Sequence, residues 1–250
     1  MNVFLIIYNT SKNVFNLKNY NKRNPLKWPL SCIAGILTIL IFFTFLIIAW
    51  ILFPNPATPI DHFLSDFGRT QVPKDGSPVW NPKTVELYSG PSQPNPGAIW
   101  FNLGCILTGC VLFLFYAGFL RYKNEYQNNK SKLKILTYAL ICFGFIQAFS
   151  MIMTGVFYED YGGVGYSIEH DIWSLTVFAM NLPIMAISGY WTRKLDFKKY
   201  ISIYAWIIVV FDIIVVLSMN NIAIIEWIAM FTSFGLVAML VIGIYNKEFS

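Results

Sequence analysis

The chain has only two histidines, His62 and His170, and each stands beside an aspartate, Asp61 and Asp171. Imidazole changes charge near neutral pH, which suits it to acid–base work and to metal ligation. Asp66 follows His62 by four positions, so a helical turn over Asp61–Phe67 would present an imidazole and a carboxylate on one face. Added to His170, that face would make a His/His/Asp set for Zn²⁺ with one position left for an activated water. Ser65 and Ser174 stand three and four positions from a histidine. Each hydroxyl is a candidate nucleophile, and His170, Asp171 and Ser174 form the corresponding catalytic candidates. No elbow motif surrounds either serine, and a hydroxyl bonding back to helix backbone explains both more simply.

Three further polar groups interrupt otherwise apolar runs: Asn102, Glu226 and Asp212. A carboxylate inside hydrocarbon is costly unless it is protonated, paired or reached by water. No Lys or Arg falls at the depth of Asp212, which points to a protonated or water-exposed acid there.

The elements that must position these groups are helices in lipid. With 56% hydrophobic residues, 12% charged residues and a mean hydropathy of +0.54, the chain is too apolar to hide its side chains in one soluble core. Crossing a bilayer takes about 20 apolar residues. Six stretches reach that length: Leu30–Phe53, Ala98–Leu120, Leu133–Phe157, His170–Trp191, Tyr200–Met219 and Ile222–Tyr245. The expected fold is an all-α membrane protein, a bundle of six transmembrane helices over residues 30–245. A basic tail, 1–29, precedes it, a short tail, 246–250, follows it, and a long first extracellular loop spans 54–97. On the fourth helix His170, Ser174, Val177 and Asn181 share one face, and on the third Gln147, Met151 and Thr154 do the same. Turned inward, these faces would line a polar cleft open to the outside, or join the helices by hydrogen bonds. Pro183 should kink the fourth helix, while Gly104, Gly109, Gly144 and Gly155 would permit close helix approach.

Charge sorts by side. Lys12, Lys18, Lys22, Arg23 and Lys27 precede the first helix; Arg121, Lys123, Lys130, Lys132 and Lys134 flank the second connection; Arg193, Lys194, Lys198 and Lys199 lie in the fourth. Cytoplasmic segments collect such residues, so both termini are expected inside the cell membrane. Trp28, Tyr190 and Tyr245 at one set of ends, with Trp50, Trp100 and Trp227 at the other, agree as interfacial anchors. The four cysteines fall within the helices and make no disulfide framework. The amino terminus lacks the pattern of a cleaved leader, and the glycosylation patterns at Asn9 and Asn129 fall on the inner side. The basic clusters are accounted for by topology, and no nucleic-acid or phosphate-loop signature is present. No cofactor is specified.

The loop is dense in proline, which prevents a long helix. DHFLSDFG is expected to form a short helix or turn closed by Gly68, and a small hairpin is expected around VELY.

HFLSDFG, NPGAIWFNLGCILTGC, GFIQAFSMIMTGVF and EHDIWSLTVF, in that order, resemble the six-helix prokaryotic membrane family known as domain of unknown function 998, over about Ala34–Tyr245. The element Ser65-Asp66-Gly68, then Phe101-Asn102-Gly104, Gly155 and His170 carry the likeness. A more distant similarity is to the Frag/DRAM/Sfk membrane proteins, which are associated with lipid remodelling or trafficking. It implies that Ser65, Asp66, Asn102 and His170 belong to an outward site involving lipid. The stretch between Arg69 and Ala98 is longer than that likeness leads one to expect.

The leading expectation is a multi-pass protein whose outward polar pocket, built from His62, Ser65, Asp66, Asn102, His170 and Glu226, binds a lipid headgroup or small polar ligand, with membrane lipids as its partners. Two alternatives stand beside it. One is a lipid hydrolase using His170 with Asp66 or Asp171, with or without a metal on His62, Asp66 and His170. The other is a proton-linked permease using Asp212 and Glu226.

Overall fold

A continuous apolar run bracketed by two prolines makes the first helix. In the computed structural model, which describes residues 24–81, 86–123, 130–163, 167–218 and 222–249, α1 covers Leu30–Leu52 between Pro29 and Pro54. Its buried positions Ser31, Gly35, Thr38, Phe42, Leu46 and Ala49 recur every three or four residues and form one inward stripe. The expectations placed on Lys12 to Arg23, Asn9 and Asn129 lie outside the described residues.

Five more long helices follow: α2 (Ala98–Ala117, continued by a 3-10 turn to Tyr122), α3 (Lys130–Val156), α4 (Ile168–Lys194), α5 (Lys199–Ser218) and α6 (Ala223–Phe249). Among the described residues, α1, α2 with its 3-10 extension, α3, α4 and α6 are long and apolar enough to cross a membrane. Helix α4 starts two residues earlier than its apolar run because Ser167 caps it, accepting from the His170 amide at 3.2 Å. It runs unbroken through Pro183.

Each helix packs on the next in sequence and α6 closes on α1, so the bundle is a ring. Gly109 and Gly155 allow α2 and α3 to approach closely within it. A Cβ on Gly109 would stand 2.6 Å from the Ala148 carbonyl oxygen, and one on Gly155 would strike the Asn102 carbonyl, so α2 and α3 pack backbone to backbone. The four cysteines are free thiols.

Two apolar cores lie along the ring. One, at the end carrying the clustered lysines and arginines, joins Phe115, Phe119 and Tyr122 to Trp191, Leu195, Ile201, Leu240 and Ile244. The other joins Phe42 and Leu46 of α1, with Phe53 just past its end, to Phe101, Trp227 and Phe234, and takes in Leu64, Phe67 and Val72 from the long loop. The loop is therefore part of the fold. Its strands β1 (Gln71–Pro73) and β4 (Ser92–Pro94) pair antiparallel with Val72 opposite Gln93. Inside them β2 (Trp80–Asn81) pairs with β3 (Glu86–Leu87), the hairpin expected around VELY. Pro73 and Pro94 sit at strand ends, where a missing N–H costs little.

Candidate functional site

The turn Ser65–Gly68 is a single 3-10 turn. Its preceding residues make no helix, so the expected His62/Asp66 face does not form: His62 closes a turn on Thr58, its amide 2.9 Å from that carbonyl oxygen. Asp66 instead caps its own turn, Oδ2 accepting from the Phe63 amide at 2.9 Å. Short polar side chains compete with helix in this way.

Phe67 drives this turn into the mouth of the bundle. It is fully buried, its ring 4.9 Å from Phe53, 5.7 Å from Trp50, 5.8 Å from Trp227 and 6.4 Å from Phe101. Burying such a ring stabilises by roughly 1.5–3 kcal/mol. The cleft expected to stand open is thus stoppered by a loop side chain, because a buried Phe lowers the free energy more than an open apolar mouth.

Once the turn is seated, its backbone polar groups need partners, and helix ends supply them. Glu226 Oε2, near the start of α6, accepts from the Leu64 amide at 2.8 Å, and its carboxylate also meets the Ser65 amide and hydroxyl. Asn102 Nδ2, on α2, donates to the Gly68 carbonyl at 2.8 Å. Asn95 Nδ2 donates to the carbonyls of Phe67 (3.2 Å) and Arg69 (2.9 Å). Trp227 Nε1 donates to the His62 carbonyl at 3.0 Å. Beyond α3, Asp160 accepts from the Thr70 amide, the Thr70 hydroxyl (2.8 Å) and the Gln71 amide (2.9 Å).

Charge gathers at the same place. Arg69 Nη1 lies 3.0 Å from Glu159 Oε1, with side chains only 5% and 15% exposed. Asp66 stands within electrostatic reach of Glu159, Arg69 and Glu226, so three carboxyl groups, Asp66 among them, share one neighbourhood with a single guanidinium. Burial first, then the charge of Glu159, pushes the Asp66 carboxyl well above its ordinary range; Arg69 opposes the push and Glu226 adds to it. His62, buried against the edge of Phe53, has its imidazole lowered by burial, with Asp61 partly opposing.

His170 is 3% exposed and its Nδ1 lies 2.8 Å from the Phe157 carbonyl oxygen. A carbonyl only accepts, so Nδ1–H is the donor in this contact. His170 Nε2, Asp66 Oδ1, Asn102 Oδ1 and Glu159 Oε2 are buried without a hydrogen-bond partner. Buried polar atoms are rarely left so.

His62, Ser65, Asp66, Asn102 and Glu226 therefore surround one turn, and His170 joins the adjoining chain at Phe157, two residues before Glu159. Ser174 donates at 3.3 Å to the Asp171 carbonyl, the backbone bond weighed against a nucleophile. Asp171 lies half-buried in the first turn of α4. Asp212 is half-buried on α5, its Oδ2 without a hydrogen bond among the described residues. No three His, Cys, Asp or Glu side chains among the described residues are grouped to hold a metal, so His62, Asp66 and His170 are not gathered as a set.

Farther down the bundle Tyr116 donates to Gln147 Oε1 at 2.8 Å, and Gln147 donates to Asn181 Oδ1, tying α2, α3 and α4 beside a void of about 30 Å³. Of the two readings of those faces, this is helix joining. Arg69, Glu159, Asp160 and Asn95 were not among the residues singled out from sequence. The available signal was an arginine in one connection facing an acidic pair in the other on the same side.

Residues 36–243 match the model of a family described as "Protein of unknown function (DUF998)". No curated protein and no solved structure matches the chain.

Proposed function

The chain belongs to the DUF998 family of proteins of unknown function, and from that premise we propose that it is a six-span protein of a prokaryotic cell membrane, with both termini cytoplasmic and an outward polar site that binds a lipid headgroup or small polar ligand rich in N–H or O–H donors. Helix α5 supplies the sixth span. The Ser65–Arg69 turn is the lid of the site, and the ligand enters when the turn lifts.

One observation carries the reading: Asn102 Oδ1, Glu159 Oε2 and His170 Nε2 are buried without a hydrogen-bond partner, and Asp66, Glu159 and Glu226 share their neighbourhood with a single guanidinium. An ammonium group would bring donors to the Asn102 and Glu159 oxygens and positive charge to the carboxyl cluster. The likeness to Frag/DRAM/Sfk proteins through Ser65 and Asp66 supports a lipid as the bearer of that group.

Phosphatidylethanolamine has N–H donors; phosphatidylcholine carries the same charge with none. Native mass spectrometry of the detergent-purified chain should find the first retained over the second. Glu159→Gln and Asn102→Leu should erase the preference. Equal retention of both lipids by the unaltered protein would overturn the reading.

A further inference from the structure

At the opposite end of the bundle, the first turns of α3 and the last turns of α4 enclose a groove of about 240 Å³. Lys132 enters it from α3, and Arg193 and Lys194 enter from α4. All three are exposed, and none makes an ion pair with a described carboxylate. Lys194 lies over the Tyr190 ring, 5.2 Å from its centroid, which holds one cation at the groove wall. The floor is apolar: Leu133, 3% exposed, and Leu136.

The helix dipole accounts for two of these three cations. Arg193 and Lys194 stand at the carboxyl end of α4, where the helix dipole favours positive charge. Lys132 stands at the amino end of α3, where the dipole disfavours it. A positive helix end, a lysine and two cations from the neighbouring helix thus converge on one void. Beside it, along α3, Ile135 (63% exposed) and Tyr138 (42% exposed) turn apolar surface away from the bundle. A headgroup in the groove would leave its acyl chains lying there.

We propose that this groove binds the phosphate of an anionic phospholipid, its oxygens taken by Lys132, Arg193 and Lys194 and its glycerol backbone lying over Leu133 and Leu136. Basic pockets between membrane helices suit such headgroups. Phosphatidylglycerol, whose phosphate carries the single negative charge of its headgroup, is the fitting probe. The site is separate from the one beneath the loop and has the opposite charge preference.

The full chain in mild detergent is titrated with phosphatidylglycerol and with phosphatidylcholine of the same acyl chains, and retention is read by native mass spectrometry. Phosphatidylglycerol should be retained in excess, and Lys132→Gln and Arg193→Gln should each reduce that excess about fivefold, the worth of one cation near a lipid phosphate. Leu136→Trp, which fills the groove with every charge in place, should also remove it, while Arg193→Lys should keep most of it. The elution volume of each variant in size-exclusion chromatography reports folding. Equal retention of the two lipids, or an excess that survives Leu136→Trp, would overturn the proposal. Displacement of phosphatidylglycerol by inorganic phosphate, but not by sulfate at equal ionic strength, would also overturn it, in favour of a free-phosphate site.

Discussion

Arg69 in the long loop and Glu159 beyond the end of α3 meet at 3.0 Å in a nearly dry setting, their side chains 5% and 15% exposed. The pair binds the loop to the connection between α3 and α4, and the two partners are not equivalent. Removing Arg69 takes away the cation that faces Asp66 and Glu159; removing the charge of Glu159 relieves its repulsion of Asp66 and Glu226.

Breaking a buried pair from one side commonly costs about 3–5 kcal/mol. Arg69→Gln should approach that figure. Glu159→Gln should cost clearly less, because it also removes the first charge that raises Asp66. Thermal unfolding in detergent checks the order, and equal losses would mean that carboxylate crowding contributes nothing.

Phe67→Ala should destabilise by about 3–5 kcal/mol, the usual cost of emptying a fully packed aromatic site. Phe67→Leu should cost much less. Because the ring is the stopper of the mouth, Phe67→Ala should also speed hydrogen exchange at the amides of Leu64 and Thr70, whose acceptors Glu226 and Asp160 lie on other elements. Unchanged exchange there would show that polar clasps alone seat the turn.

Asp66 sets a pH dependence whose sign follows from the direction of its shift. Its folded-state pKa lies well above the ordinary 3.8, so the folded protein holds this proton more tightly than the unfolded chain. The associated stability is fully present below about pH 3.8 and is lost as pH rises through the folded value. His62 runs the other way: lowered from 6.5, it contributes stability above that pH that is lost on acidification through its folded value. Asp66→Asn, which mimics the protonated acid, should flatten the loss on the alkaline side. A melting curve with the same alkaline slope as the unaltered protein would place the titration elsewhere.

Sidedness is open to direct labelling. Asp75→Cys in the loop should react with a membrane-impermeant maleimide in intact cells, and Lys194→Cys should react only after permeabilisation. Labelling of both before permeabilisation would contradict the proposed orientation.

The long helices were legible in the sequence because a helix in lipid is a local matter. A run such as Leu30–Leu52 satisfies its own backbone and needs only length and apolarity, and Pro29 and Pro54 mark its ends in the chain itself. The hairpin around VELY and the close approach at Gly109 and Gly155 were legible for similarly short-range reasons. What only the tertiary structure decided is which polar groups meet. Leu64 and Glu226 are 162 positions apart, and Thr70 and Asp160 are 90 apart. Their meeting depends on the rotation of whole helices and on Phe67 entering the mouth, and no local periodicity encodes either. Proline density in the loop ruled out a long helix without revealing that its backbone would be satisfied by the ends of the helices it covers.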